Sequence, residues 1–310
     1  MRHNRCSGRY SSYFTGFTND GFTLNNNSGI NQNTDTLVAW AWKAGGNKNT
    51  FNVDDVGYAS AAAAGLTGGD ITPVAASVGT KQGFSIIQYQ GNGSTDQTIP
   101  HGLTQAPDFS IIKNMDGTSN WTVFHRSVTT TTQKVFYLNT TGAIADYSGG
   151  DSTWWGTLPG ASLFTIGATS TAINNGTNDM ISYHWHDVPG LQKFGSYEGN
   201  QNASGPFVEL GFRPALIWVK NIDSGAGHWV IVDKERDPIN VLGRKLAANL
   251  SNAELLGGSF RAECDFLSNG FKMRGTSTDS SGMNKSDTYI YCAWAEAPTF
   301  NLYGAQSNAR

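Results

Sequence analysis

The 310 residues carry 21 Lys and Arg against 24 Asp and Glu, a net charge of −3, with no basic block. That balance argues against nucleic acid as the main partner. Charged residues make up only 15%, well below the usual quarter, so neutral polar groups cover the surface. This suits a durable particle surface or a secreted protein better than a cytosolic enzyme. No stretch approaches the roughly 20 apolar residues of a membrane span. MRHNRCSGRY leads into polar sequence without an apolar core, so neither a secretory leader nor membrane insertion is expected.

In chain order, residues 1–44 read as the last third of a repeated unit, a partial repeat. FTNDGFTL (17–24) matches FLSNGFKM (266–273), and LVAWAW (37–42) matches the strands carrying Trp185 and Trp294. A hairpin of this size does not fold alone, so it must pack on the first full domain or on a neighbouring subunit. Residues 45–82 form a connector. Ala61 to Ala64 allow one helical turn, and Gly65, Gly68, Gly69 and Pro73 stop anything longer. Its Ile, Val and Phe content fits an ordered surface arm better than a flexible linker.

The first full domain spans 83–190, with strands predicted at Phe84–Gln90, Thr98–Pro100, Asp108–Lys113, Trp121–His125, Val135–Asn139, Leu163–Gly167 and Met180–His186. Period-two alternation places Trp121, Val123 and His125 on one face and Thr122 and Phe124 on the other. The second domain spans 191–310. Its predicted strands are Lys193–Tyr197, Phe207–Leu210, Ala215–Asn221, Trp229–Val232, Lys245–Ala248, Cys264–Leu267, Gly270–Arg274 and Thr288–Ala295. The Ser268–Gly270 token marks a hairpin. Tyr89 and Tyr197, Pro107 and Pro214, and Trp121 and Trp229 recur at one near-constant offset. The repeat is therefore a whole domain. The expected fold class is all-β: tandem antiparallel, jelly-roll-like β-sandwiches behind a partial repeat and an extended arm. Trp42, Trp185 and Trp294 read as core anchors.

The stretches Ser196–Asn200, Gly211–Asn221, His228–Pro238, Phe266–Arg274 and Thr288–Pro298 resemble a repeated domain of tailed-bacteriophage structural proteins. The likeness is to large virion proteins of marine and cyanobacterial phages. The first domain matches more loosely through Gln88–Gly93, His101–Asn114, Trp121–His125 and Met180–Pro189. The resemblance implies particle architecture or attachment and transfers no catalytic residue. The repeated sandwiches and a front segment that needs a partner lead to the expectation of a homo-oligomer among other virion proteins on a tail or particle surface, and without a secretory leader its expected route out is host lysis.

Chemistry-bearing residues are sparse. His184 and His186 share a strand face as i and i+2 and could join a third ligand around zinc, but the other closing strands carry Ala41 and Lys43 or Ala293 and Ala295 there. Exposed or interface histidines are expected instead. Tyr147, Trp154 and Trp155 lie in a predicted loop and offer faces for sugar rings. With His184 and His186 they are the candidate glycan or interface contacts, and a host cell-surface glycan is the candidate partner outside the particle. Asp146, Asp151, Asp179 and Asp187 could supply a carboxylate pair for glycan hydrolysis if two of them faced each other. No nucleophile elbow, phosphate loop or zinc-protease helix is present, so neither catalytic residues nor cofactors are assigned. Cys292 reads as a core residue. Cys264 is open between a core thiol and a bridge to Cys292.

Overall fold

The computed structural model describes residues 13–18, 21–26, 29–146, 154–167, 172–256, 264–276 and 282–297. They are all-β, with no helix among them. The chain forms two compact units, Met1–Trp42 and Lys43–Arg310. The first holds one antiparallel hairpin, β1 (Phe14–Phe17) and β2 (Phe22–Leu24), with a bulge between Phe14 and Gly16.

The second unit opens with the connector, which is a working part of a sheet. It contributes β3 (Phe51–Val53), β4 (Val56–Tyr58) and β5 (Ala75–Gly79). Repeat 1 follows with β6 (Phe84–Gln90), β7 (Gln97–Pro100), β8 (Phe109–Asn114) and β9 (Thr122–His125). It continues with β10 (Lys134–Tyr137), β11 (Ala145–Asp146), β12 (Leu163–Ile166) and β13 (Asp179–Trp185). Repeat 2 holds β14 (Gln192–Glu198), β15 (Phe207–Glu209), β16 (Pro214–Asn221), β17 (Trp229–Asp233) and β18 (Arg244–Ala247). It closes with β19 (Leu255–Leu256), β20 (Cys264–Leu267), β21 (Gly270–Met273) and β22 (Thr288–Ala295).

Strand order confirms the repeat. The large sheet of repeat 2 runs β14-β22-β16-β17-β18-β19, and repeat 1 runs β6-β13-β8-β9-β10-β11 in the same sense. In each, the closing strand sits centrally, between the first strand and the third. Repeat 1 is extended past β6 by β5-β3-β4, with β5 antiparallel to β6 and β3 parallel to β5. The connector therefore covers an edge that would otherwise be open. It also sends Ala61, Leu66 and Ile71 into the core of repeat 1. The predicted helical turn is a compact turn in which Leu66 N donates to Ala61 O at 2.8 Å.

Small sheets, β12-β7 in repeat 1 and β15-β21-β20 in repeat 2, close each inner face. Tyr89 meets Phe164, and Tyr197 meets Phe271, both at 6.0 Å between ring centroids. Alternation sorts the remaining side chains. Ile87, Tyr89, Ile112, Phe124, Val135 and Met180 point inward, while Phe109, Val123, Phe136 and Trp185 point to the opposite face.

That opposite face is buried too, because the two large sheets pack back to back. Phe109 stacks on Phe194 at 5.8 Å, Phe136 stacks on Trp229 at 5.8 Å and Trp185 meets Trp294 at 6.4 Å. Trp229 Nε1 donates to Tyr137 O at 2.9 Å, and Ile144 N donates to Ile222 O at 3.1 Å. The closing-strand tryptophans thus anchor the seam between repeats. Cys264 faces the inner core of repeat 2 and Cys292 the seam, so the sheet separates them. Both are free, buried thiols.

Trp229 is fully buried and joins the repeats by stacking and by its indole N–H. Trp229→Ala should cost about 3–5 kcal/mol, the range for a large aromatic removed from a core. Urea unfolding of both proteins checks this; a change below about 1 kcal/mol would mean the seam contributes little.

Candidate functional site

The histidines lie inside the fold. His184 is fully buried on the inward face of β13, opposite Ser85 on β6 and Ser110 on β8. Ser182 Oγ donates to Ile87 O at 3.3 Å, so it must accept from His184 Nε2–H at 2.9 Å. His184 Nδ1 then accepts from Ser110 Oγ–H at 2.8 Å. The ring is a neutral Nε2–H tautomer, held against Phe164 at 4.4 Å. Burial, with His101 nearby, lowers its pKa well below the ordinary value. His101 is buried alongside, accepting from Leu103 N at 3.1 Å and donating to Gly160 O at 3.2 Å. His186 lies beyond the end of β13 and donates to Asp187 O at 2.7 Å. The expectation of exposed or interface histidines is corrected: a central strand with neighbours on both sides leaves its inward side chains no path to solvent.

The tryptophan platform is also corrected. Trp154 is 8% and Trp155 1% exposed. Trp155 packs edge-on against Phe124 at 5.4 Å and donates Nε1–H to Lys134 O at 2.8 Å. Trp154 meets Tyr137 at 6.2 Å. The apolar area of both rings is consumed by the repeat 1 core, leaving no face for a sugar. Tyr147 and Asp151 lie outside the described residues. Asp146 and Asp179 sit on β11 and β13, strands separated in the sheet by β10, β9 and β8.

Asp187 does meet a second carboxylate, one the sequence did not single out. Asp108 Oδ2 accepts from Asp187 N at 2.8 Å, and Asp108 pairs with Arg126 at 3.1 Å. Asp187 Oδ1 accepts from Phe194 N at 2.8 Å. Burial pushes its pKa up to about 6, opposed by that N–H and reinforced by the Asp108 charge. The carboxylate covers a donor on the outer edge of β14. In repeat 1 the corresponding strand, β6, has β5 beside it, with Ser77 opposite Ile86. Asp187 is thus an edge-covering charge.

Three polar devices recur in both repeats. Tyr89 Oη donates to Ile173 O at 2.7 Å, and Tyr197 Oη to Met283 O at 2.6 Å. Next to them Asn174 accepts from Asn92 N at 2.9 Å, and Asn284 from Asn200 N at 3.0 Å. A Cβ at Gly91 or Gly199 would run into the Asn175 or Lys285 backbone. Lys113 Nζ donates to Asn114, Gly117 and Ser119 carbonyls, and Lys220 Nζ to Asn221, Gly227 and Thr141 carbonyls. Lys220 is fully buried, and burial lowers its pKa to about 8. The Tyr landmarks were visible as recurring letters. The Asn clamps, in INN (173–175) and MNK (283–285), give too short a match to notice without the contacts. Among the described residues no three His, Cys, Asp or Glu side chains could together hold a metal ion.

Two predictions follow from these groups. Tyr197→Phe leaves the buried Met283 carbonyl without its donor and should cost about 1–3 kcal/mol, read by denaturant unfolding. Acid should also destabilise the protein. His101 and His125 are lowered by burial to about 4, so their contribution is complete above pH 6.5 and is lost as pH falls towards 4. Asp187 acts oppositely, since its raised pKa relieves strain as pH falls through about 6. These histidines, joined by the buried His184, outweigh one carboxylate, for a net loss of at least about 3 kcal/mol between pH 7 and 4.5. His125→Gln, which keeps a donor for Tyr291 O, should shrink that loss. Equal losses in both proteins would refute the assignment.

No curated protein and no solved structure matches the chain. One family does, described as a domain of unknown function, and its match takes in the front hairpin, the connector and both repeats, residues 4–298. The chain therefore belongs to the DUF7483 family.

Proposed function

We propose that this chain is a non-enzymatic structural protein of a tailed-bacteriophage virion, a tail, tail-fibre or particle-surface component that assembles as a homo-oligomer. The observation that supports it is the fusion of two repeats through a continuous aromatic seam. Phe109, Phe136, Trp185, Phe194, Trp229 and Trp294 lie along that seam, which makes one stiff block from two sandwiches. The polar clusters serve the same end: His184, Lys220, Asn174 and Asn284 satisfy buried partners. The stretches of repeat 2 that resemble phage structural proteins fall on β14, β16, β17, β20, β21 and β22, strands that build the block. In this reading other virion proteins are its partners, and it reaches the extracellular space when the host lyses. Closed symmetry is the expectation for such an assembly.

Sedimentation equilibrium across micromolar concentrations should give one discrete oligomer, and antibodies to the chain should decorate phage particles from a producing host. A monodisperse monomer that labels no particle would sink the reading.

A further inference from the structure

The small sheet of repeat 2, β15-β21-β20, has two faces. Val208, Cys264, Phe266, Phe271 and Met273 fill the inner core. Alternation turns Phe207, Asp265, Leu267, Gly270 and Lys272 to the outside. Lys272 stands there between its cross-strand partners, Phe207 and Asp265. The Phe207 ring leans over Gly270, where a Cβ would meet ring carbons Cε2 and Cζ at 3.1 Å. Leu267 is the partner of Gly270 across the hairpin, so Phe207 and Leu267 form one apolar strip across the sheet.

Residues 239–242 extend that strip past β20. Asn240 Nδ2 donates to Phe266 O and its Oδ1 accepts from Phe266 N, both at 2.9 Å, while Leu242 bridges Cys264. Leu242 joins the inner core, which turns its neighbour Val241 outward. Ile239 is 75%, Val241 48% and Phe207 44% exposed. Repeat 1 treats the same face differently. There Thr98 and Thr165 form the outward cross-strand pair, beside the inward Ile99 and Phe164. Asp70 of the connector accepts from Thr98 Oγ1 at 2.6 Å, and the Thr157 and Thr165 hydroxyls meet at 2.9 Å. Two hydroxyls covered by their own chain in repeat 1 thus correspond to Phe207 and Lys272 in repeat 2.

Charge and shape together select the occupant of this face. Asp265 and Glu209 balance Lys272 and Arg274, with Arg274 3.3 Å from Asp265, so a strongly charged partner gains nothing there. The aromatic ring lies at one margin and the β-branched pair at the other. A half-turn about an axis between β20 and β21 lays Phe207 of each copy on Ile239 and Val241 of the other. It also brings Lys272 of each copy to Asp265 of the other, so every contact is made twice. Pairing edge to edge is closed off instead: Pro206 lacks an N–H, Lys193 Nζ takes Glu209 O at 2.9 Å, and Asn240 occupies the far edge of β20. We propose that the outer face of β15-β21-β20 is where two copies of this chain meet about a two-fold axis, with Phe207 of each seated on Ile239 and Val241 of the other. The inference rests on the homo-oligomer reading and is independent of the virion one.

The test uses the full chain in sedimentation equilibrium, from micromolar to millimolar concentration. Ile239→Glu and Phe207→Ser should each raise the dissociation constant of self-association about tenfold. Ile239 is three-quarters exposed, so its variant should keep the wild-type urea midpoint. Should the Phe207 variant fail to fold, Ile239→Glu carries the test. A second experiment mixes Phe207→Cys with Ile239→Cys, each also carrying Cys6→Ser, under mild oxidation. The mixture should give a disulfide-linked pair that neither protein gives alone. An oligomer whose dissociation constant is unchanged in a folded Ile239→Glu overturns the proposed face and leaves the homo-oligomer reading standing. Links formed within either single protein and not between the two overturn the two-fold arrangement. A wild-type monomer at every concentration overturns the face and the homo-oligomer reading together, while antibody labelling of particles judges the virion reading separately.

Discussion

The back-to-back contact of the two large sheets is the constraint on which the rest of the second unit depends. A sheet that packs on both faces can carry almost no solvent-facing side chains in its central strands. The closing strands show this most clearly. β13 and β22 are nearly continuous runs of buried residues, because each has a strand on either side, a small sheet in front and the other repeat behind. The aromatic rings at the seam supply area and a preferred geometry together, since offset and edge-on pairs add to simple burial. Polar groups caught in such a place must find partners inside. Hence His125 reaches Tyr291 O and Lys220 reaches Thr141 O across the seam, at 3.2 and 3.0 Å.

Edges receive equally specific treatment. The first strand of repeat 1 is covered by β5 from the connector, whereas the first strand of repeat 2 follows its predecessor after a short turn. There the Asp187 carboxylate takes the Phe194 N–H. An exposed strand edge invites pairing with any passing chain, and a partly buried carboxylate discourages it, since an incoming strand would have to desolvate the charge. Burial pushes the Asp187 carboxyl up to about 6, against the pull of the Phe194 N–H. At the other end of the chain the opposite condition holds: the front hairpin presents core-type phenylalanines to solvent.

The two sandwiches share a buried seam and pack as one unit rather than as separate beads. A protein that had kept its sandwiches as separate beads would have left the outer faces of both sheets polar. Here the outer faces read Phe109, Val123, Phe136 and Trp185 on one side and Phe194, Trp218, Trp229 and Trp294 on the other. Side chains that could have carried chemistry are used for packing, and His184 between two serines is the clearest case.

The sequence by itself determined the all-β class and most strands of the two repeats, but not β3, β4 and β5 of the connector. These follow from period-two alternation, turn tokens and the recurrence of Tyr, Pro and Trp, all of them local signals. It also matched residues 17–24 to 266–273 and residues 37–42 to β22, although 37–42 form no strand in the fold. It could not decide which face of a strand meets which partner. Trp154 and Trp155 sit in a loop-like stretch, and only the fold of repeat 1 reveals that the stretch turns inward. His184 and His186 follow alternation, yet alternation names a face without saying that both faces of β13 are covered. The Asp108–Asp187 contact, the Asn174 and Asn284 clamps and the seam itself join residues far apart in the chain. Such pairings depend on strand order, and strand order was decided only when the closing strand entered the middle of its sheet.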